Sequence, residues 1–126
     1  MNKKRVDRCI PHAINAIIEE GICKDNKIPK EFKGYVSSFG ASIVQTGLLA
    51  TIAFYANTNA NTKEQRDLVP AAIYSILIKD GLDTSKGNYK NLFEYVADNN
   101  TKIVKDKICD AMISLKLALR TFERAS

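Results

Sequence analysis

The sequence has no tryptophan, a single histidine at position 12, three cysteines and three prolines among 126 residues. A zinc or other transition-metal site needs several His, Cys, Asp or Glu side chains at converging spacings, which one histidine and cysteines at 9, 23 and 109 do not supply. An odd cysteine count suits no closed disulfide framework either, so Cys9, Cys23 and Cys109 read as reduced thiols of a cytoplasmic protein. Neither G-x-x-x-x-G-K-[ST] nor G-x-G-x-x-G occurs, which removes the two commonest phosphate cradles and with them ATP or dinucleotide use. Long hydrophobic runs are missing too. The stretch 36–62 carries no charge over 27 residues, but Ser37, Ser38, Ser42, Gln45, Thr46 and Thr51 interrupt it, and no apolar run approaches the ~20 residues of a membrane span. Met1–Arg5 is basic like an export signal, yet Asp7, Arg8 and Pro11 break the apolar run that should follow. No cofactor, membrane or small-molecule substrate is expected.

What is present is 45% hydrophobic and 26% charged residues, with 19 Lys and Arg against 14 Asp and Glu, a net charge of +5. This composition predicts one compact soluble domain over 1–126 that holds a core without metal or disulfides. Apolar residues recur at helical spacing almost throughout, so the fold class is all-α, a bundle of about six helices. The first helix presents Val6, Ile10, Ala13, Ile14, Ile17 and Ile18 on one side and stops at Gly21, with Pro11 expected to kink it or delay its start. Pro29 suits the first position of a second helix carrying Phe32, Tyr35, Val36 and Phe39, which Gly40 bends or ends. A third helix, about 41–56, is apolar on more than one face, which predicts the most buried, central helix. Gly47 within it implies a bend or a close neighbour.

Thr62 with Gln65 forms a capping-box pattern before a fourth helix whose stripe is Leu68, Val69, Ala72, Ile73, Ile76 and Leu77. Pro70 should kink that helix and Gly81 should end it. A short helix with Leu92, Phe93 and Val96 follows, terminated by Asn99 and Asn100. Thr101 caps the last helix, whose apolar residues run from Val104 to Phe122.

Chemistry-bearing groupings are sparse. Cys9 and His12 lie three apart and could share a helix face as thiolate and base, the one pair with nucleophilic potential, although Pro11 lies between them and no third group is evident. Glu19 and Glu20 read as a solvated helix end. Tyr35, Phe39, Tyr55, Tyr74, Tyr89 and Tyr95 could stack on bases, but at helical spacing they read as core. The placement of basic residues says more. Lys3, Lys4, Arg5 and Arg8 oppose the dipole of a starting helix, and Lys27, Lys30 and Lys33 precede Gly34, which could let a phosphate approach the backbone. Lys116, Arg120 and Arg124 fall on one i, i+4 row, about 6 Å apart along the axis, able to follow a phosphate backbone. Each group also has a plain reading, as a solvated terminus or as cations complementing a helix C-terminus.

The run from Phe32 through Phe39-Gly40-Ala41 and Gln45-Thr46-Gly47-Leu48-Leu49 to Ala53-Phe54-Tyr55 resembles the signature of the small subunit of the Cmr module, the type III-B CRISPR effector. There an aromatic with small and basic residues leads to Leu-Pro, then Asn-Gly-Leu, and a helix ending in Ala-Phe. Gly47-Leu48 and Ala53-Phe54 match, while Phe39-Gly40 and Thr46 replace Leu-Pro and Asn. The ending Leu115–Ala125 is similar to the family's last helix, without its tryptophan. The resemblance implies a non-enzymatic helical subunit of an antiviral, RNA-guided complex. It would stack in a filament with neighbouring copies and with the backbone and large Cmr subunits, and contact crRNA and target RNA while base pairing reads sequence. Lys33 and Arg120 lie inside the matching elements; Lys4, Arg5, Lys30, Lys116 and Arg124 follow from charge geometry. Three alternatives remain at this level: a protein-binding helical adaptor, the small subunit of the related type III-A complex, and a small cysteine hydrolase using Cys9 and His12.

Overall fold

The computed structural model describes residues 1–56 and 65–125, the last three by their backbone. Among the described residues the chain forms α1 (Lys3–Glu19), β1 (Lys27–Pro29), α2 (Glu31–Thr46), α3 (Leu48–Tyr55), α4 (Leu68–Lys79), α5 (Leu92–Asp98), α6 (Lys102–Leu119) and β2 (Glu123–Ala125). The expected six-helix, all-α architecture is present.

Local chemistry explains most element ends. Side-chain oxygens of Asn2, Asn91 and Thr101 accept the amides of Arg5, Glu94 and Val104, capping α1, α5 and α6. Gly21 and Gly81 close α1 and α4 with positive φ of 78° and 91°. In each the glycine amide and the next amide turn back onto the last helical turn, Ile22 to Ile17 and Leu82 to Leu77 at 3.0 Å, so both helices end in the same Schellman arrangement. Pro11 lies inside α1, which runs through it from Lys3.

The core lies where α1, α4 and α6 meet. Ala13, Ala16 and Ile17 of α1, Ile73 and Ile76 of α4, and Ile108, Ala111, Leu115 and Ala118 of α6 are all fully buried. Alanines on both α1 and α6 allow these two backbones to approach closely. Arg5 of α1 meets Asp110 of α6, and Val6 meets Ser114, so position advances in the same direction along both helices. The two therefore run parallel, each with its N-terminus at one end of the molecule.

Five expectations change. Gly40 does not end the second helix: α2 continues to Thr46, and a Cβ at Gly40 would lie 2.9 Å from Met112 Sδ and Cε, so glycine there lets α2 approach α6. The break falls at Gly47, with φ 98° and ψ 164°, a conformation that side chains resist. Thr51 secures it by donating to the Gly47 carbonyl at 2.8 Å while its hydroxyl also meets that of Ser42 at 2.8 Å. Pro29 belongs to β1, and Pro70 sits in the first turn of α4, where a missing N–H leaves no helical bond unmade. The proposed Thr62 cap lies outside the described residues.

The charge-free segment is not the most buried part of the protein. Val36, Phe39, Ile43, Leu48 and Ile52 point inward, but Val44 is 85% and Phe54 57% exposed, with Ser37, Ser38, Ala41, Gln45, Ala50 and Ala53 also outward. Lack of charge made α2 and α3 look central, whereas their outward face is uncharged and solvent-facing. Finally, α6 ends at Leu119 rather than near Phe122. Phe122 packs on the core and the chain then extends as β2, which pairs in parallel with β1.

Candidate nucleic-acid interface

The basic residues singled out in the sequence fall into two groups, one on the first turns of α1 and one around the β1–β2 ladder beyond its other end, α1 itself being roughly 25 Å long for its 17 residues. At the N-terminal end, Lys4 is exposed, but Arg5 is part of the structure. Its Nη1 donates to Asp110 Oδ2 at 2.8 Å, and the Asp110 side chain is only 4% exposed. Ser114 beside it donates to the Val6 carbonyl at 2.9 Å, completing a polar seam between α1 and α6. One turn further along α1, Arg8 donates through Nε and Nη2 to the two Asp80 oxygens at 2.6 and 2.9 Å. Hydrogen bonding from Arg8 holds the Asp80 carboxyl below the usual carboxylate range. His12 Nε2 lies 3.8 Å from the same carboxylate, and Lys79 pairs with Glu19 at 2.9 Å. Arg5 and Arg8 of α1, with Lys79 of α4, thus hold α1 to its neighbours.

The opposite end is different. In the β1–β2 ladder Lys27 lies beside Glu123, Ile28 beside Arg124 and Pro29 beside Ala125. Ile28 is fully buried and anchors β1, while Lys24, Lys27 and Lys30 are exposed. Lys33 is half-buried in the first turn of α2, Lys116 half-buried in the last turn of α6, and Arg120 exposed at its C-cap. None of these six cations has an ion-pair partner among the residues whose side chains are described, a set that leaves out Glu123 opposite Lys27. Lys116 and Arg120 complement the negative end of the α6 dipole, but Lys30 and Lys33 stand at the positive end of α2, where each costs a few tenths of a kcal/mol. Helix stability alone does not account for them.

The expected i, i+4 row is interrupted. Lys116 and Arg120 keep helical spacing, but Arg124 lies on β2, beside Ile28 in the ladder. The same pairing joins the cations of positions 24–33 to those of 116–124, a juxtaposition that spacing along the chain does not reveal. Lys24, in the loop before β1, joins the expected group of Lys27, Lys30 and Lys33 in this way. Gly34 is exposed, with nothing within 4 Å of a Cβ built on it, so its backbone is open to a ligand.

The aromatics are core, as their spacing predicts. Phe39, Tyr55, Tyr74 and Tyr95 are buried; Phe39 and Tyr55 meet edge to face at 5.0 Å, and the Tyr55 hydroxyl donates to the Tyr35 carbonyl at 2.8 Å. An arrangement that spacing missed is the Arg66 guanidinium, 4.3 Å above the centroid of Phe54. Cys9 is 1% exposed, and burial pushes its thiol up to about 11. At neutral pH it is a sequestered thiol, not the thiolate that nucleophilic attack requires. Among the described residues no group of three His, Cys, Asp or Glu could hold a metal ion, and no helix is long and apolar enough to cross a membrane.

Helical architecture, net positive charge and a cationic end that shows no carboxylate partner among the residues with described side chains mark a small, basic, all-helical protein. Residues 2–108 match the family model described as CRISPR-associated protein, Cas_Cmr5. The chain belongs to this family and is a CRISPR-associated Cmr small subunit. The matched span includes Lys4, Arg5, Lys30 and Lys33 and ends within α6, before Lys116, Arg120 and Arg124. No curated protein and no solved structure matches the chain.

Proposed function

We propose that this chain is a non-enzymatic, single-domain small subunit of a type III-B (Cmr) effector in the cytoplasm, acting in antiviral defence and contacting the crRNA and target-RNA backbone. One observation carries the RNA contact: Lys24, Lys30, Lys33, Lys116 and Arg120 gather toward the ladder with no carboxylate partner among the residues whose side chains are described, whereas Arg5 and Arg8 each face an aspartate. Lys30, Lys33, Lys116, Arg120 and Arg124, with Lys24 and Lys27 beside them, form the phosphate-facing group; Lys4 is an outlying contact. Arg5 enters as the residue that fixes α1 against α6. Binding of this kind neutralises phosphates, releases counterions and reads no sequence. The outward face of α2 and α3 that carries Val44 and Phe54, the latter under the Arg66 guanidinium, is suited to neighbouring copies and to the backbone and large subunits, since its other exposed residues are uncharged.

The test is a titration of arbitrary-sequence single-stranded RNA at several salt concentrations. Contact with about three or more phosphates gives a slope of log affinity on log salt near −2 or steeper, at roughly 0.7 per phosphate. Lys33→Glu with Arg120→Glu should flatten that slope at unchanged fold. Absence of binding at low salt, or a slope indifferent to these substitutions, would assign the charge to acidic protein surfaces instead, the helical-adaptor reading.

A further inference from the structure

We propose that closure of the β1–β2 ladder and polyanion binding are coupled, so that the C-terminal strand completes the phosphate-facing surface and is held in place by the ligand. This rests on the reading that the ladder end meets RNA. The ladder is short and parallel, three residues on each strand, and a two-stranded pair of this kind is marginal by itself. Ile28 fixes β1 in the core, and partly buried Phe122 leads into β2.

Closure has an electrostatic consequence. Residues 24–33 carry four lysines against two acids, and 120–124 two arginines against one acid. Pairing therefore gathers three of the five net positive charges of the whole chain around one small ladder. Like charges brought together oppose closure, and a phosphate chain lying across them removes that opposition. A ligand that prefers the closed state must shift the equilibrium toward it, and closure must raise affinity by the same factor. The parallel register sets Lys30 past the Ala125 end of the ladder and Arg120 before its Glu123 end, so that closure spaces the two along its length.

Amide hydrogen exchange on the full chain tests this, with single-stranded RNA and, separately, inorganic polyphosphate as probes at low salt. The expected result is slower exchange across 123–125 at saturation, with amides of α4 unchanged as a control for global stabilisation. Unchanged ladder exchange with RNA demonstrably bound overturns the coupling. Protection by polyphosphate without any RNA binding keeps the coupling and removes the RNA reading, and protection by neither ligand removes the coupling. A charge-neutral substitution gives a second readout. Pro29 has no N–H, so the parallel register sends the Ala125 amide, and not that of Arg124, to the Ile28 carbonyl; Ala125→Pro removes that ladder bond and leaves every charge in place. Coupling requires this variant to bind RNA at least about threefold more weakly than wild type, since apparent affinity scales with the closed fraction. Equal affinities of the two folded proteins overturn it.

Discussion

The two basic groups of this protein carry the same residue types and do different work. At the N-terminal end, Arg5 and Arg8 each face an aspartate from a distant part of the chain, and both ion pairs lie on the faces that α1 shows to α6 and α4. At the ladder end, lysines and arginines of three elements converge with no carboxylate partner among the residues whose side chains are described. A positive residue is therefore structural or available according to what the fold sets opposite it, and net charge does not distinguish the two cases.

Disturbing the structural end should have the largest effect on stability. Arg5→Ala leaves the nearly buried Asp110 carboxylate without its partner and should cost about 3 kcal/mol, lowering the melting temperature by roughly 10 °C. Chemical denaturation measures this. A change below about 0.5 kcal/mol would show that the seam is held by packing alone, and would erase the distinction between the two ends.

Lys30→Glu with Lys33→Glu should do the reverse, leaving stability within about 0.5 kcal/mol of wild type while reducing the salt slope by roughly 1.4. A large loss of stability there would mean that the ladder end is structural too.

The Arg8–Asp80 pair gives a pH signature. Because the Asp80 carboxyl is depressed in the folded state, the unfolded chain takes up its proton first as pH falls. Its contribution to stability is thus complete above the ordinary aspartate value of about 3.9 and disappears as pH drops through the lower folded value. Denaturation of wild type and Asp80→Asn should differ at neutral pH and converge in strong acid; a gap that widens in acid would contradict the pairing. In the same region, native thiol labelling at pH 8 should modify Cys23 while leaving Cys9 unreacted, since Cys9 is buried and its thiol raised to about 11.

The smallest effect concerns Gly34. It is exposed in the interior of α2 with open space at Cβ, so Gly34→Ala should raise stability by about 0.5–1 kcal/mol. If the RNA backbone approaches there, affinity falls as stability rises. Unchanged affinity would place the phosphate path along the lysine side chains only.

The fold was legible in the sequence where its cause is local. Thr101, Gly21 and Gly81 stand within a few residues of the amides and carbonyls they satisfy, so both helix ends and helix content follow from spacing. Gly40 and Gly47 show the limit. Both sit in one uncharged run, and which of them breaks the helix depends on Met112 of α6 lying against Gly40 and on Thr51 holding the Gly47 carbonyl. The candidate site was half legible: Lys30, Lys33 and Arg120 lie at the ladder end as single residues, but nothing in the spacing joins them, and the i, i+4 row assigned to Arg124 gives way to β2.

The sequence by itself determined an all-helical, basic chain with its caps, its stops and its aromatic core, because helical hydrogen bonding and amphipathic period act over three to five residues. Tertiary structure decided which cations are engaged, which face of α2 and α3 looks outward, and that two three-residue strands meet. Those outcomes depend on contacts such as Arg5 to Asp110 and Arg8 to Asp80, 105 and 72 residues apart. Only the packing of α1 between α4 and α6 brings such positions within reach of one another.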